Sequence, residues 1–402
     1  MSMRNAIVGQ SGGPTSAINA TLSGVIQGAA HNVGKLYGMS NGIAGLLEKR
    51  LVELNYLFDN EEELRKLELT PSVALGSCRY KLPQDMKSEI YPRIFEILEE
   101  YNIGYLFYIG GNDSMDTVVK LSAYASVNSI DVKIIGVPKT IDNDLMETDH
   151  CPGYGSAAKY VATTVYEIAR DISAYNLPSV TVVELMGRDA GWLGCAGAMS
   201  KYYFGKGSDL IYLPEMDFSL DSFLGDVQNK LSAQKTVLVS VSEGIPLDGG
   251  NHVTDVFGHK YLAGVGRVLE NAIREKIGCK VRSVELNLPQ RCAGHIVSKT
   301  DIEESVCIGK GAVSHALSGQ GGKMVAFKRC AGAYGVDIIA VDASLVANKI
   351  KHVPREYISY KDKFVTDKCI EYITPLIQGE VDIKYVMGMP NHFDLGERSC
   401  IK

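Results

Sequence analysis

The stretch PKTIDND places Lys139, Thr140, Asp142 and Asp144 in one short segment after an apolar run. Two carboxylates this close can divide labour, one accepting a proton while the other holds a metal or orients its partner. An ordinary Asx-rich turn is the alternative for DND alone. Lys139 shifts that balance, because a cation beside a base suits group transfer involving an anion. A second segment, GGNDS (110–114), reads as a glycine turn entering a helix, a place where backbone N–H groups and the helix dipole welcome phosphate. Yet the turn carries an acid, Asp113, beside the neutral Asn112. A third, GQSGGPTSAIN (9–19), leads into a helix beginning near Ala17 and includes Gly13. It matches neither G-x-G-x-x-G nor G-x-x-x-x-G-K-[ST], so a tight structural turn and a phosphate cradle stay equally open.

Other turns add charge. MGRDAGW (186–192) supplies Arg188, a residue type suited to bidentate oxyanion contact, although a lone arginine is more often a surface group. SEGI (242–245) supplies Glu243, which could accept sugar hydroxyls. RSVELNLPQR (282–291) brings Arg282 and Arg291, a possible second phosphate clamp, and ALGSCRYKL (74–82) brings Arg79 and Lys81. Trp192, the only tryptophan, reads as core packing. No Ser–His or Cys–His nucleophile signature and no HExxH spacing is present, which argues against acyl transfer and zinc chemistry.

Bulk properties narrow the field. A net charge of -6 over 402 residues gives no basic tract for nucleic acid or an anionic membrane surface. Nine cysteines without a CxxC pair suggest reduced thiols. The opening MSMRNAIVGQ shows no signal pattern, and no segment approaches a membrane span, so a cytoplasmic protein is expected.

The elements that must hold these turns are short apolar runs alternating with helical patterns. Strands are predicted at 5–9, 104–110, 132–138, 179–186, 209–214, 236–244 and 282–288; most are continuous Val/Ile/Leu/Tyr runs, as in parallel sheets covered on both faces. Helices are predicted at 86–101, with Ile90, Ile94, Ile97, Leu98 and Tyr101 on one face, and at 153–175, with Val161, Val165, Ile168 and Ile172 spaced for burial. The alternation implies a doubly wound α/β architecture, in which ligands collect at the carboxyl ends of strands. The reactive residues above sit at those ends.

In order and approximate spacing, GGPTSAIN, LGSCR, GGNDS, PKTIDND, MGR, SEG and QR resemble the 6-phosphofructokinase family from residue 9 to about residue 291. The resemblance implies two doubly wound domains with mainly parallel sheets. It suggests coarse divisions at 1–150 for the phosphoryl donor, 151–290 for the sugar phosphate, and 291–402 crossing back between them. It implies in-line transfer to the 1-hydroxyl of fructose 6-phosphate with Mg2+, the partners being small substrates and further copies of the chain in a homodimer or homotetramer, with no nucleic acid and no membrane. Asp142 matches the proton acceptor; Thr140 and Asp144 match its positioning neighbours. Gly13, Gly111 and Arg79 match groups near the donor phosphates. Met186, Gly187, Arg188 and Glu243 match the sugar site. Arg282 and Arg291 match arginines near the sugar's phosphates, Arg282 reaching in from a neighbouring subunit. The implied metal contacts are Asn112 and Asp113.

Asp113 together with Lys139 is the pattern of the pyrophosphate-dependent members, where ATP users commonly carry glycines. Like charges ~4 Å apart repel by ~1 kcal/mol in water and ~4 kcal/mol at an effective dielectric of 20. An acid at residue 113 would thus oppose ATP's α-phosphate, while pyrophosphate lacks that group. Lys139 would compensate the leaving phosphate. The alternatives are an ATP-dependent kinase and a regulatory subunit without turnover; the latter conflicts with the presence of Asp142, Asp144, Lys139 and Arg188. Three departures stand out: Asn112 replaces a metal-touching aspartate, Ser179 an arginine and Leu288 a histidine. Tyr357, Tyr360 and Lys361 are candidates to rebuild the sugar's 6-phosphate clamp, a packed C-terminal segment being the alternative.

Overall fold

The computed structural model describes residues 3–247, 253–254, 260–261 and 264–396. The first eight strands are β1 (Asn5–Gln10), β2 (Leu36–Met39), β3 (Leu51–Glu53), β4 (Ile103–Gly110), β5 (Lys133–Pro138), β6 (Ser179–Leu185), β7 (Leu210–Tyr212) and β8 (Thr236–Ser242). β5, β4, β1, β2 and β3 lie side by side in that order in a seven-stranded sheet. Strand Lys323–Arg329 pairs parallel with β5, and Val336–Asp342 closes that edge antiparallel. A second, four-stranded sheet runs Lys280–Glu285, β6, β8, β7, all parallel.

The continuous apolar runs predicted from sequence are these central strands. β1, β4, β5, β6 and β8 are buried at nearly every position, as helices on both faces require. The helices predicted at 86–101 and 153–175 are Ile90–Glu100 and Tyr154–Ile172. The first buries Tyr91 and Phe95 beside Ile94, Ile97 and Leu98, so its inner face is rotated slightly from the predicted one and Ile90 is only partly buried.

The C-terminal third was largely unread in sequence, and it ties the molecule together. Helix Lys299–Leu317 lies against helix Ile18–Ala29 so closely that a Cβ on Gly24 would stand 2.1 Å from the Val306 carbonyl oxygen. At its start, the buried Asp301 accepts from the backbone N–H of Gly153 (2.8 Å) and Ser156 (2.9 Å), holding the first turn of helix Tyr154–Ile172. The chain then supplies the two C-terminal strands of the first sheet.

Register decides what meets at the sheet ends. Gln10 lies opposite Ile109, and Gly110 opposite Pro138, so the turns after β1, β4 and β5 leave the sheet at one level. Lys139 N–H still donates to the Gly110 carbonyl at 3.0 Å. In the second sheet, Leu185 lies opposite Ser242 and Glu184 opposite Glu285, so its three turns also leave together. The two sets of turns face one cleft.

Candidate active site

The cleft encloses about 870 Å³. Its first wall is made by the turns after β1, β4 and β5. Gly12 has φ +79°, a conformation glycine adopts at no steric cost, and a Cβ there would stand 3.1 Å from Lys139 Nζ. Lys139 Nζ donates to the Gly13 carbonyl at 2.7 Å, so the lysine lies beneath the glycine turn and is only 3% exposed. Burial pushes its pKa down to about 8; Asp142 and Asp144 favour its charge, while Arg291 and Arg79 oppose it.

Asp142 also lines the cleft. Burial raises its pKa, Arg188, Lys139 and Arg291 hold it down, and Asp189 pushes the same way as burial. Asp144 is pushed up to about 6, by burial first and then by the charge of Asp142. The DND turn is fixed from below by its middle residue. Asn143 adopts φ 55°, its amide donates to the Tyr372 hydroxyl at 2.8 Å, and its side-chain oxygen accepts from Cys151 N–H at 2.9 Å. With Asn143 turned inward, its two neighbours are free to face the cleft. Thr140 Oγ1 accepts from Asp142 N–H at 3.1 Å, which tightens the same turn.

Asp113 sits differently. Its side chain is 58% exposed, and one carboxylate oxygen is 3.7 Å from Lys81 Nζ. Arg79 and Lys81 both line this side of the cleft.

The second wall comes from the other sheet. Gly244 allows the turn after β6 to approach the turn after β8; a Cβ there would lie 1.7 Å from the Arg188 carbonyl oxygen. Glu243 accepts from Gly187 N–H at 3.4 Å. Burial, and then the charge of Asp142, push its pKa up to about 8, so near neutrality Glu243 is largely a neutral carboxyl that can donate as well as accept. The buried Gln290 accepts from Met186 N–H at 3.2 Å and fixes the same turn. Arg291 crosses to the first wall: one terminal nitrogen lies 3.2 Å from where a Cβ on Gly13 would stand. Its Nε is buried without a hydrogen-bond partner among the described residues. A guanidinium held this way is a ready anion contact.

A cleft with several cations, two half-buried carboxylates and a glycine turn fits phosphoryl transfer, in which positioning and charge neutralisation supply most of the catalysis. The family profile described as Phosphofructokinase matches residues 5–315. The chain belongs to this family.

Among its relatives, the pyrophosphate–fructose 6-phosphate 1-phosphotransferase of Halomonas elongata is 38% identical, over 97% of this chain and 96% of that protein. The enzyme of the same name from Methylococcus capsulatus is 38% identical over 98% of this chain and 96% of that one. The crystal structure of a pyrophosphate-dependent phosphofructokinase from Marinobacter aquaeolei superposes with a TM-score of 0.89 at 36% identity, covering 100% of this chain and 98% of that one.

Most of the phosphofructokinase residues picked out in sequence line the one cleft: Gly13, Arg79, Gly111, Asn112 and Asp113, then Lys139, Thr140, Asp142 and Asp144, and opposite them Met186, Arg188, Glu243 and Arg291. Gly187 lies just behind, with φ +127°. Arg282 stands apart on the exposed outer strand Lys280–Glu285, outside the cleft of its own chain. Asn112 is not free to turn toward a metal: its side-chain oxygen accepts from Asn348 N–H at 2.5 Å, and its amide donates to the Lys349 carbonyl.

The C-terminal candidates for a phosphate clamp do not reach the cleft. Tyr357 is packed edge-on against Trp192, ring centroids 6.1 Å apart, and beside Tyr372 at 5.6 Å. Tyr360 is exposed beneath Arg355 and Lys361 is solvent-facing. Leu288 lines the cleft although 56% exposed, whereas Ser179 begins β6, at the end of the strand away from it. Trp192 is core, 2% exposed, as its apolar surroundings require.

Sequence reasoning passed over Asn348, Ile350 and Lys351. Asn348 and Ile350 line the cleft, and Lys351 lies half-buried behind it. They follow an antiparallel edge strand and carry no turn motif. The one local signal is Asn348 itself, at φ 60°, in the left-handed region that asparagine tolerates.

Proposed function

We propose that this protein transfers a phosphoryl group from pyrophosphate to the 1-hydroxyl of fructose 6-phosphate, giving fructose 1,6-bisphosphate and phosphate. The observation that carries the reading is the donor wall. Lys139 is buried beneath the glycine turn, and the acid Asp113 stands at the open end of the same wall. A two-phosphate donor gains the lysine and avoids the acid; a longer nucleotide chain would meet Asp113 with like charge.

In the forward step the sugar's 1-oxygen bonds to the transferred phosphorus as the bridging P–O bond to the leaving phosphate breaks. Asp142 takes the hydroxyl proton. Its raised pKa makes it a stronger base than an exposed aspartate, and the charge of Arg188 opposes that rise by favouring the carboxylate. Lys139 and Arg79 offset charge on the transferring and leaving oxygens, and Arg291, bridging the two walls, contacts sugar-bound or transferring phosphate. Glu243 and the Met186–Arg188 turn bind the sugar. In reverse, Asp142 returns the proton, and a transfer that runs both ways suits a glycolytic and gluconeogenic role.

Magnesium fits the cleft in one manner. No cluster of three or more His, Cys, Asp or Glu among the described residues could enclose an ion. On the donor side of the cleft the carboxylates on offer are Asp113, Asp142 and Asp144, so the ion would be held chiefly by pyrophosphate with one or two of these. When bound, it neutralises phosphate charge.

The exposed Arg282 on an edge strand supports a homodimer or homotetramer in which it serves a neighbour's cleft. No helix of the described residues is long and apolar enough to cross a membrane.

Measuring kcat/KM for pyrophosphate and for ATP, with fructose 6-phosphate and Mg2+, tests the reading. Pyrophosphate is expected to be the far better donor; a preference for ATP would refute the assignment.

A further inference from the structure

Residues 348–353, NKIKHV, bond to three of the turns that line the cleft, those after β4, β5 and β6, within a single short run. Asn348 N–H donates to the Asn112 side-chain oxygen, and the Asn112 amide donates to the Lys349 carbonyl. Asn348 also reaches Asp116 on the helix that follows, at 3.2 Å. Three residues on, Lys351 N–H donates to the Asp144 carbonyl at 2.8 Å. Its Nζ donates to the carbonyls of Thr148 (3.0 Å) and Asp149 (2.9 Å), and lies 5.2 Å from the centre of the Trp192 ring. Its own carbonyl accepts from Trp192 Nε1 at 2.8 Å. Val353 N–H donates to Glu215 Oε1 at 2.9 Å, and the same oxygen accepts from Gly191 N–H at 3.0 Å. The run is therefore bonded to the donor turn, the base turn and the sugar turn in succession.

We propose that residues 348–353 are a positioning strap that sets the donor turn against the base turn, with Asn112 as its clasp and Lys351 as its anchor. The chemistry of residue 112 follows. The strap offers one N–H and one C=O to the same side chain, and a carboxamide answers both, accepting with its oxygen and donating with its nitrogen. A carboxylate would accept the first bond and set two acceptors against each other at the second. Asparagine at this position is thus a requirement of the strap, and metal contact passes to the neighbouring carboxylates and the substrate. Lys351 does the same work at the other end. Lacking any place in the cleft lining, it acts only through the Asp144–Asp149 backbone and Trp192.

The inference rests on the pyrophosphate-dependent reading, and one experiment separates the two. Asn112→Asp, Asn112→Ala and Lys351→Met are made in the full chain. Each is assayed with pyrophosphate, fructose 6-phosphate and Mg2+, and followed by Trp192 emission and by hydrogen exchange at the amides of 348, 351 and 353. All three are expected to shift the emission and speed exchange along the whole strap. They should lower kcat about 10- to 100-fold, since small misplacements of reacting groups are this costly. KM for fructose 6-phosphate and the half-saturating Mg2+ concentration should stay within about twofold of the parent. If Asn112→Asp lowers the Mg2+ requirement severalfold with emission and exchange unchanged, residue 112 is a metal ligand and the clasp is wrong. If exchange quickens in the Asn112 variants while kcat holds, the strap is merely structural and the proposal fails. The Asn112 variants keep it testable should Lys351→Met not fold. A parent protein inactive with pyrophosphate would overturn the functional reading alone, because emission and exchange report the strap without turnover.

Discussion

Two acids face the same cleft from neighbouring strand ends, and their surroundings differ in almost every respect. Asp113 opens the helix after β4, more than half exposed, with Lys81 at 3.7 Å. Asp142 follows β5 in a turn pinned from within by Asn143, and its burial raises its pKa against the pull of Arg188, Lys139 and Arg291. An exposed carboxylate keeps its charge cheaply and acts at a distance, shaping which anions enter. A buried one is poised to exchange a proton, because its charged form is costly and its cationic neighbours are close. The contrast shows how one residue type supplies selectivity at one turn and chemistry at the next, the difference residing in solvent and neighbours.

The comparison is broken most severely at Asp142. Asp142→Asn is expected to cut kcat by about 10³ while fructose 6-phosphate binding, followed by calorimetry, barely changes. Near-parental turnover would remove Asp142 as the base and make the two acids equivalent. The selectivity half is probed by Asp113→Gly with Lys139→Gly. Relieving a like-charge clash of ~1 to ~4 kcal/mol should raise ATP use relative to pyrophosphate by roughly fivefold or more. The double variant should gain more than Asp113→Gly alone, because the lysine matches the shorter donor; an unmoved donor ratio would show that Asp113 does not select. The smallest effect is in pH dependence. Lys139 is useful while charged, and its pKa lies at about 8, so kcat/KM for pyrophosphate should fall as pH rises through that value. On the acid side, activity should be lost above the pH at which an exposed aspartate would protonate, as the raised pKa of Asp142 requires. A profile flat from pH 7 to beyond about 9 would contradict the Lys139 assignment, and one that holds down to the pH at which an exposed aspartate protonates would contradict that of Asp142.

The sequence by itself determined the alternation of buried strands and helices, the turns at the strand ends and the residue types they carry. Val/Ile/Leu runs such as those of β5 and β6 admit few places but the centre of a covered sheet, and PKTIDND must then emerge at its carboxyl end. Those facts depend on neighbours in the chain, and so they were legible. The tertiary structure decided what each residue does. Asp113 and Asp142 are the same side chain until one is left in water and the other desolvated among cations. Asn112 read as a weakened metal ligand because its partner, Asn348, lies 236 residues away. Lys351 carried no signal, for its partners are backbone carbonyls that only folding brings within reach. Desolvation and long-range hydrogen bonding are properties of the assembled molecule, and no local pattern encodes them.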